Sequence, residues 1–182
     1  MRLVVINAKI LNEQGEQEIA QIVIENGVIS NIEKTGSLKQ LVAEEGTQVI
    51  DAGGRLVTPG FIDMHVHLRE PGFEHKETIE TGSRSAAKGG FTTIACMPNT
   101  RPVTDNPDTV RYVKEKAEEA GLVNVLPYAA ITKSELGREL TDFAALKEAG
   151  AIGFTDDGVG VQSAQMMKDA MRQAAALGMP VI

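Results

Sequence analysis

Two histidines one residue apart close the segment Asp63-Met64-His65-Val66-His67. With Phe61-Ile62 before it the segment reads as a β-strand, in which alternate residues share a face, so Asp63, His65 and His67 point the same way. Two imidazoles at that spacing can reach one metal ion through bonds of about 2.0–2.1 Å. Asp63 is placed to hold a ring nitrogen as a hydrogen-bond acceptor. Arg69 follows where the chain leaves the strand, and a guanidinium there can grip a carboxylate through two parallel hydrogen bonds, which a lysine would not reproduce. Asn99 carries both a donor and an acceptor for a ligand. The pair Asp156-Asp157 adds two carboxylates before Gly158. Alternation sends them to opposite faces, so only one can join the histidines, and spacing does not choose between them. Taken singly, each has a plainer role: polar strand ends in water, a surface arginine, an asparagine turn, an Asp-Asp-Gly turn.

These side chains need a scaffold, and the sequence outlines one. To about Thr58 the chain reads as β: Leu3 to Ile6, Ile19 to Glu25 and Val28 to Ile32 are β-branched runs. Asn26-Gly27 supplies the positive φ angles of a tight hairpin turn. A polar stretch from Lys34 to Gly46 reads as a helical or loose insertion. Gln48 to Asp51, the Gly53-Gly54 turn and Arg55 to Val57 then read as a second hairpin. From Pro59-Gly60 the rhythm changes, with strand-like runs starting near Phe61, Phe91, Val123, Ala151 and Met179. Their spacing of roughly 30 residues is that of βαβ units. Helix punctuation fills the gaps: Asn106-Pro107 opens one helix and Gly121 stops it, Thr141-Asp142 and Gly150 bound a second, and Ser163 and Gly178 bound a third. In that third helix Met166, Met167, Ala170, Met171 and Ala174 form an apolar stripe expected to pack on a sheet. Cys96 alternates with Ile94 and is expected in the core, His75 faces solvent, and Lys114 to Glu119 form a solvated helix face.

The composition fits a globular α/β protein. Of 182 residues 42% are hydrophobic and 24% charged, with 18 glycines. No apolar run approaches the roughly 20 residues of a membrane-spanning helix, and none follows a basic start as in a secretory leader. A net charge of −7 argues against nucleic acid as a partner. A lone cysteine, Cys96, excludes an internal disulfide framework and fits the cytoplasm. No Gly-x-Gly-x-x-Gly or P-loop follows any strand, so nucleotide phosphate binding has no support. An open doubly wound sheet and a (βα)8 barrel both remain compatible with the alternation.

The stretch Pro59-Gly60-Phe61-Ile62-Asp63-Met64-His65-Val66-His67-Leu68-Arg69-Glu70-Pro71-Gly72 resembles the first-strand motif of the amidohydrolase superfamily, and more narrowly that of the long-chain bacterial dihydroorotase family. Met97-Pro98-Asn99-Thr100 and Thr155-Asp156-Asp157-Gly158 resemble two further motifs of that family, in the same order. The resemblance implies a (βα)8 barrel preceded by a small β-sandwich, with residues 1–57 giving sandwich strands and residues 58–182 the first four βα units and fifth strand. It implies reversible, zinc-dependent cyclisation of N-carbamoyl-L-aspartate to dihydroorotate in pyrimidine synthesis. His65, His67 and Asp157 would be metal ligands, with Asp157 spanning two zinc ions. Ala151 to Asp157 holds no lysine, which sets the chain with members bridged by aspartate rather than by a carboxylated lysine. His67, Arg69 and Asn99 would bind the substrate. A homodimer in the cytoplasm is the implied state.

A full barrel needs about 240 residues at this spacing. The chain is therefore expected to be the N-terminal part of a longer enzyme, inactive alone, with further ligands and the acid–base aspartate beyond Ile182. Two other readings compete: another cyclic amidohydrolase (an allantoinase or hydantoinase), and a non-catalytic scaffold subunit. Arg69 and the strand-four aspartate disfavour the first, and the intact His65, His67 and Asp157 disfavour the second.

Overall fold

A computed structural model of the chain describes residues 1–34 and 46–182, so the insertion expected from Lys34 to Gly46 falls almost wholly outside the described residues. The chain divides into two units, Met1–Pro59 and Gly60–Ile182.

In the first unit the β-branched runs become strands β1 (Arg2–Leu11), β2 (Gln17–Glu25), β3 (Val28–Lys34) and β4 (Thr47–Asp51). They form one four-stranded sheet in the order β3-β2-β1-β4. The β2–β3 hairpin turns at Asn26 and Gly27, with φ of 52° and 82°, the two positive values that the dipeptide supplies. The second expected hairpin is absent. β4 runs parallel to β1, and Leu56 also bridges to Lys9 of β1 in parallel. Gly53-Gly54 is therefore a detour between two segments that follow β1 in one direction. The Ile6 and Asn7 carbonyls accept from Ala52 and Gly54, after which Lys9 and Val57 resume the ladder. Asn7, at φ 53°, marks the irregularity in β1 that makes room for the loop.

The second unit carries the expected alternation. β5 (Phe61–Val66), β6 (Phe91–Cys96) and β7 (Asn124–Pro127) pair in parallel in that order. Two further parallel passes extend the ladder through bridges from Ala129 to Phe154 and from Phe154 to Val181. Helices α1 (Ile79–Lys88), α2 (Pro107–Ala120), α3 (Phe143–Ala149) and α4 (Ala164–Ala176) lie between these passes. Their first N–H groups are capped by Thr78, Asn106, Asp142 and Ser163 side chains, and Gly121 and Gly150 end α2 and α3 in the left-handed region.

Burial follows the pleat. Ile94, Cys96 and Val125 face one way into a cluster with Ile79, Val113 and Ala117 of α1 and α2. Ala95, Met97 and Tyr128 face the other way, with Ile152 against them. Burial pushes the Cys96 thiol up to about 12, so it is inert core as expected. A second cluster joins α3 and α4 to the later passes, with Phe143 stacked on Phe154 at 3.8 Å between centroids. Removing either ring would cost about 3–5 kcal/mol, since both are fully buried. α4 meets this cluster through Ala170, Ala174 and part of Met167, whereas Met171 is 56% exposed. The expected stripe is thus narrower than its sequence pattern, because small alanines, not the methionines, make the close approach. Among the described residues no helix is long and apolar enough to cross a membrane.

Candidate metal centre

Parallel pairing brings the C-terminal ends of the strands to one edge of the sheet, and the chemistry-bearing residues lie there. β5 delivers His65, and His67 stands just past its end. The Val66 carbonyl accepts from the Met97 N–H, which aligns the exit of β6 with that of β5 and sets Asn99 in the loop beyond. Ala129 of the third pass donates its N–H to the Gly153 carbonyl and accepts from the Thr155 N–H of the fourth, placing Asp156 and Asp157 at the end of the fourth pass.

His65, His67 and Asp157 converge, with one ligand atom from each lying within 4.8 Å of the others. His65 Nε2 is 3.4 Å from Asp157 Oδ1, and His67 Nε2 is 3.5 Å from Asp157 Oδ2. Ligand atoms along the edge of a tetrahedron with bonds of about 2.0–2.1 Å stand about 3.3–3.4 Å apart. Two imidazole nitrogens and a carboxylate drawn this close together are a donor set of the kind that zinc takes. The imidazoles meet edge to face, 5.3 Å between centroids, so both Nε2 atoms turn towards the same carboxylate.

The two aspartates separate as alternation requires. Asp156 is 4% exposed and turns inward, where its Oδ1 accepts from the Ile131 and Thr132 N–H groups at 2.8 and 3.0 Å. Its Oδ2 accepts from the Thr132 hydroxyl, which itself accepts from the Gly137 N–H. Asp156 thus fastens the end of the fourth pass to the chain leaving the third, and holds the backbone from which Asp157 projects. Asp63 does not orient an imidazole: its Oδ1 accepts the His65 backbone N–H at 3.1 Å. The His67 ring meets Asn99 instead, with Nδ1 3.0 Å from Asn99 Oδ1. The Asn99 amide nitrogen donates to Asp157 Oδ2 at 3.0 Å and to the Asp157 carbonyl at 3.4 Å.

Arg69 sits on the loop after β5 with φ of 61°, a conformation that non-glycine residues rarely adopt. The loop around it is tightly determined. Glu70 accepts from the Ile79 N–H at 2.8 Å and from the Tyr112 hydroxyl at 3.0 Å, and burial followed by the Glu70 bond raises the Tyr112 phenol. Gly72, at φ 94°, lies so close to Arg101 that a Cβ would stand 2.0 Å from its carbonyl oxygen. Among the described residues nothing pairs with the Arg69 guanidinium, which stays available to an anion. His75 is exposed, as expected.

Sequence reasoning did not single out Glu135. Burial, then the charges of Asp156, Asp157 and Asp105, push its carboxyl up to about 7, and its Oε1 is buried with no hydrogen-bond partner among the described residues. No motif marks it, because only the tertiary fold sets it beside three other acids. Asp156 was visible as one of a pair, but its partners, two backbone N–H groups and the Thr132 hydroxyl, lie 24 to 25 residues away in sequence.

Residues 54–182 match the family model described as dihydro-orotase-like. The chain is 54% identical over its whole length to a dihydroorotase of Halalkalibacterium halodurans, of which it covers 41%. It is 57% identical over 97% of its length to a dihydroorotase of Bacillus caldolyticus, covering 40% of that protein. Among solved structures, an L-hydantoinase (dihydropyrimidinase) from Arthrobacter aurescens superposes on 98% of the chain with a TM-score of 0.79 and 27% identity, over 39% of its own length. A dihydroorotase crystal structure, at 18% identity and a TM-score of 0.63, shares the fold. The chain thus spans about two fifths of the curated relatives it matches, and its parallel βα units are those of the N-terminal part of such structures. The chain belongs to the dihydro-orotase-like family.

Proposed function

We propose that the full-length protein is a zinc-dependent dihydroorotase, interconverting dihydroorotate and N-carbamoyl-L-aspartate. The observation that carries this reading is identity of 54–57% to proteins named dihydroorotase over nearly the whole chain. The convergence of His65, His67 and Asp157 at the strand ends supports it. Residues 1–57 then contribute strands of a small sandwich, and residues 58–182 the first four βα units and fifth strand of a (βα)8 barrel. The protein works as a homodimer in the cytoplasm.

In this reading His65, His67 and Asp157 would hold zinc. The metal, when bound, would supply water activation and polarisation of the ring carbonyl. Hydrolysis adds water across the ring amide: hydroxyl joins the carbonyl carbon, the carbon–nitrogen bond breaks, and the nitrogen takes the proton. Arg69 holds the substrate carboxylate with a guanidinium that nothing pairs among the described residues, while His67 and Asn99 line the same rim. The general acid–base is assigned to none of these residues. The net charge of −7 does not oppose an anionic substrate, because metal ions and Arg69 set the local field.

A hydantoinase-type activity has the fold match in its favour, but only 27% identity. Comparing turnover of dihydroorotate with that of uncharged hydantoins and allantoin by the full-length protein separates the two. Preference for dihydroorotate is expected, and preference for a neutral ring would overturn the proposal. Absence of turnover on every ring, with zinc bound, would favour a scaffold role.

A further inference from the structure

The Asn99 amide lies between two of the candidate ligands, and its hydrogen-bond directions can be worked out from one end. Its nitrogen faces Asp157 Oδ2 at 3.0 Å and the Asp157 carbonyl at 3.4 Å. An ionised carboxylate and a carbonyl only accept, so the group facing them must be the NH2. The reversed amide would set an oxygen against two oxygens, which fixes the assignment by network. Oδ1 therefore faces His67 Nδ1 at 3.0 Å, and since an amide oxygen only accepts, Nδ1 must carry a hydrogen. In the neutral ring the lone pair then sits on Nε2, the atom 3.5 Å from Asp157 Oδ2 and turned towards the metal position.

We propose that Asn99 is a positioning residue that fixes the His67 tautomer and the Asp157 carboxylate together, tying the ligand after β5 to the ligand of the fourth pass. The inference rests on the metal-centre reading and adds to the expected role of Asn99. The placement also explains why Asp63 can face the backbone: the orienting acceptor for His67 comes from the loop after the neighbouring strand.

The test uses full-length protein, first stripped of metal and labelled with 15N-histidine, at about pH 8 where imidazole is neutral. Wild type is expected to show His67 as the Nδ1–H tautomer. Asn99→Ala removes the acceptor and should give a mixture of tautomers. Asn99→Asp keeps an acceptor for Nδ1–H and should retain the wild-type form, which guards against a variant that merely folds poorly. Competitive titration with zinc alone should show Asn99→Ala weakened about 10–100-fold, the usual cost of losing a group that orients a ligand. An unchanged His67 tautomer in Asn99→Ala, or unchanged zinc affinity, would overturn the proposal. If wild type bound no zinc, the metal-centre reading would fail, while the tautomer comparison would still judge the role of Asn99.

Discussion

Replacing Asp156 by alanine tests whether the buried carboxylate holds the candidate site together. The substitution leaves the Ile131 and Thr132 N–H groups without an acceptor, at residues only 1% and 0% exposed. Each stranded donor costs about 1–3 kcal/mol, and the Thr132 hydroxyl also loses its acceptor. Relief from no longer burying a charge offsets part of this, leaving about 3–5 kcal/mol, the range found when one member of a buried charged network is removed. Asp156→Asn keeps Oδ1 for both N–H groups and turns its NH2 to the Thr132 hydroxyl, so it should cost about 1 kcal/mol. Urea unfolding of the full-length protein reads the difference. The fall in the alanine midpoint should be about four times that in the asparagine midpoint, since m is common to both variants. Zinc affinity should follow the same order, because the backbone under Asp157 loosens. An alanine variant within about 0.5 kcal/mol of wild type would refute the latch.

Arg69→Lys keeps the charge but loses the fork, so kcat/KM for dihydroorotate should fall about tenfold to a thousandfold, about 1.4–4 kcal/mol, while turnover of any neutral ring changes little. Equal losses on charged and neutral rings would remove Arg69 from carboxylate recognition. Glu135→Gln reads the raised carboxyl: the folded state holds that proton more tightly than the unfolded chain, so wild-type stability falls as pH rises from about 4.5 to about 7. In metal-free protein the variant should therefore gain melting temperature over wild type across that interval, and a difference independent of pH would contradict the charge cluster.

Local punctuation was the legible part of the fold. Asn26-Gly27, the caps at Asn106, Asp142 and Ser163, and the stop at Gly121 each encode their own backbone geometry, so sequence alone located them. Gly53-Gly54 shows the limit. A glycine pair signals a turn whether its flanks pair with each other or, as here, both run along β1. The candidate site divides the same way. Strand alternation put His65 and His67 on one face and parted Asp156 from Asp157, but which aspartate met the histidines depended on how the fourth pass entered the sheet. Asp63 was expected to accept from a ring nitrogen, a contact that Asn99 makes with His67 instead, because a neighbour in sequence is visible where one in the loop beyond the next strand is not. Glu135 and the acceptor role of Asp156 depend wholly on tertiary burial.

The central claim, that His65, His67 and Asp157 form the metal centre of a dihydroorotase, is met most directly by dihydroorotate hydrolysis after metal removal and zinc restoration. Full-length wild type and the His65→Ala, His67→Ala double variant would be stripped with a chelator, assayed, and assayed again after addition of zinc. The wild type should lose hydrolysis on stripping and regain it with zinc, whereas the double variant should stay inactive throughout. Hydrolysis that survives metal removal, or that zinc restores in the double variant, would contradict the account.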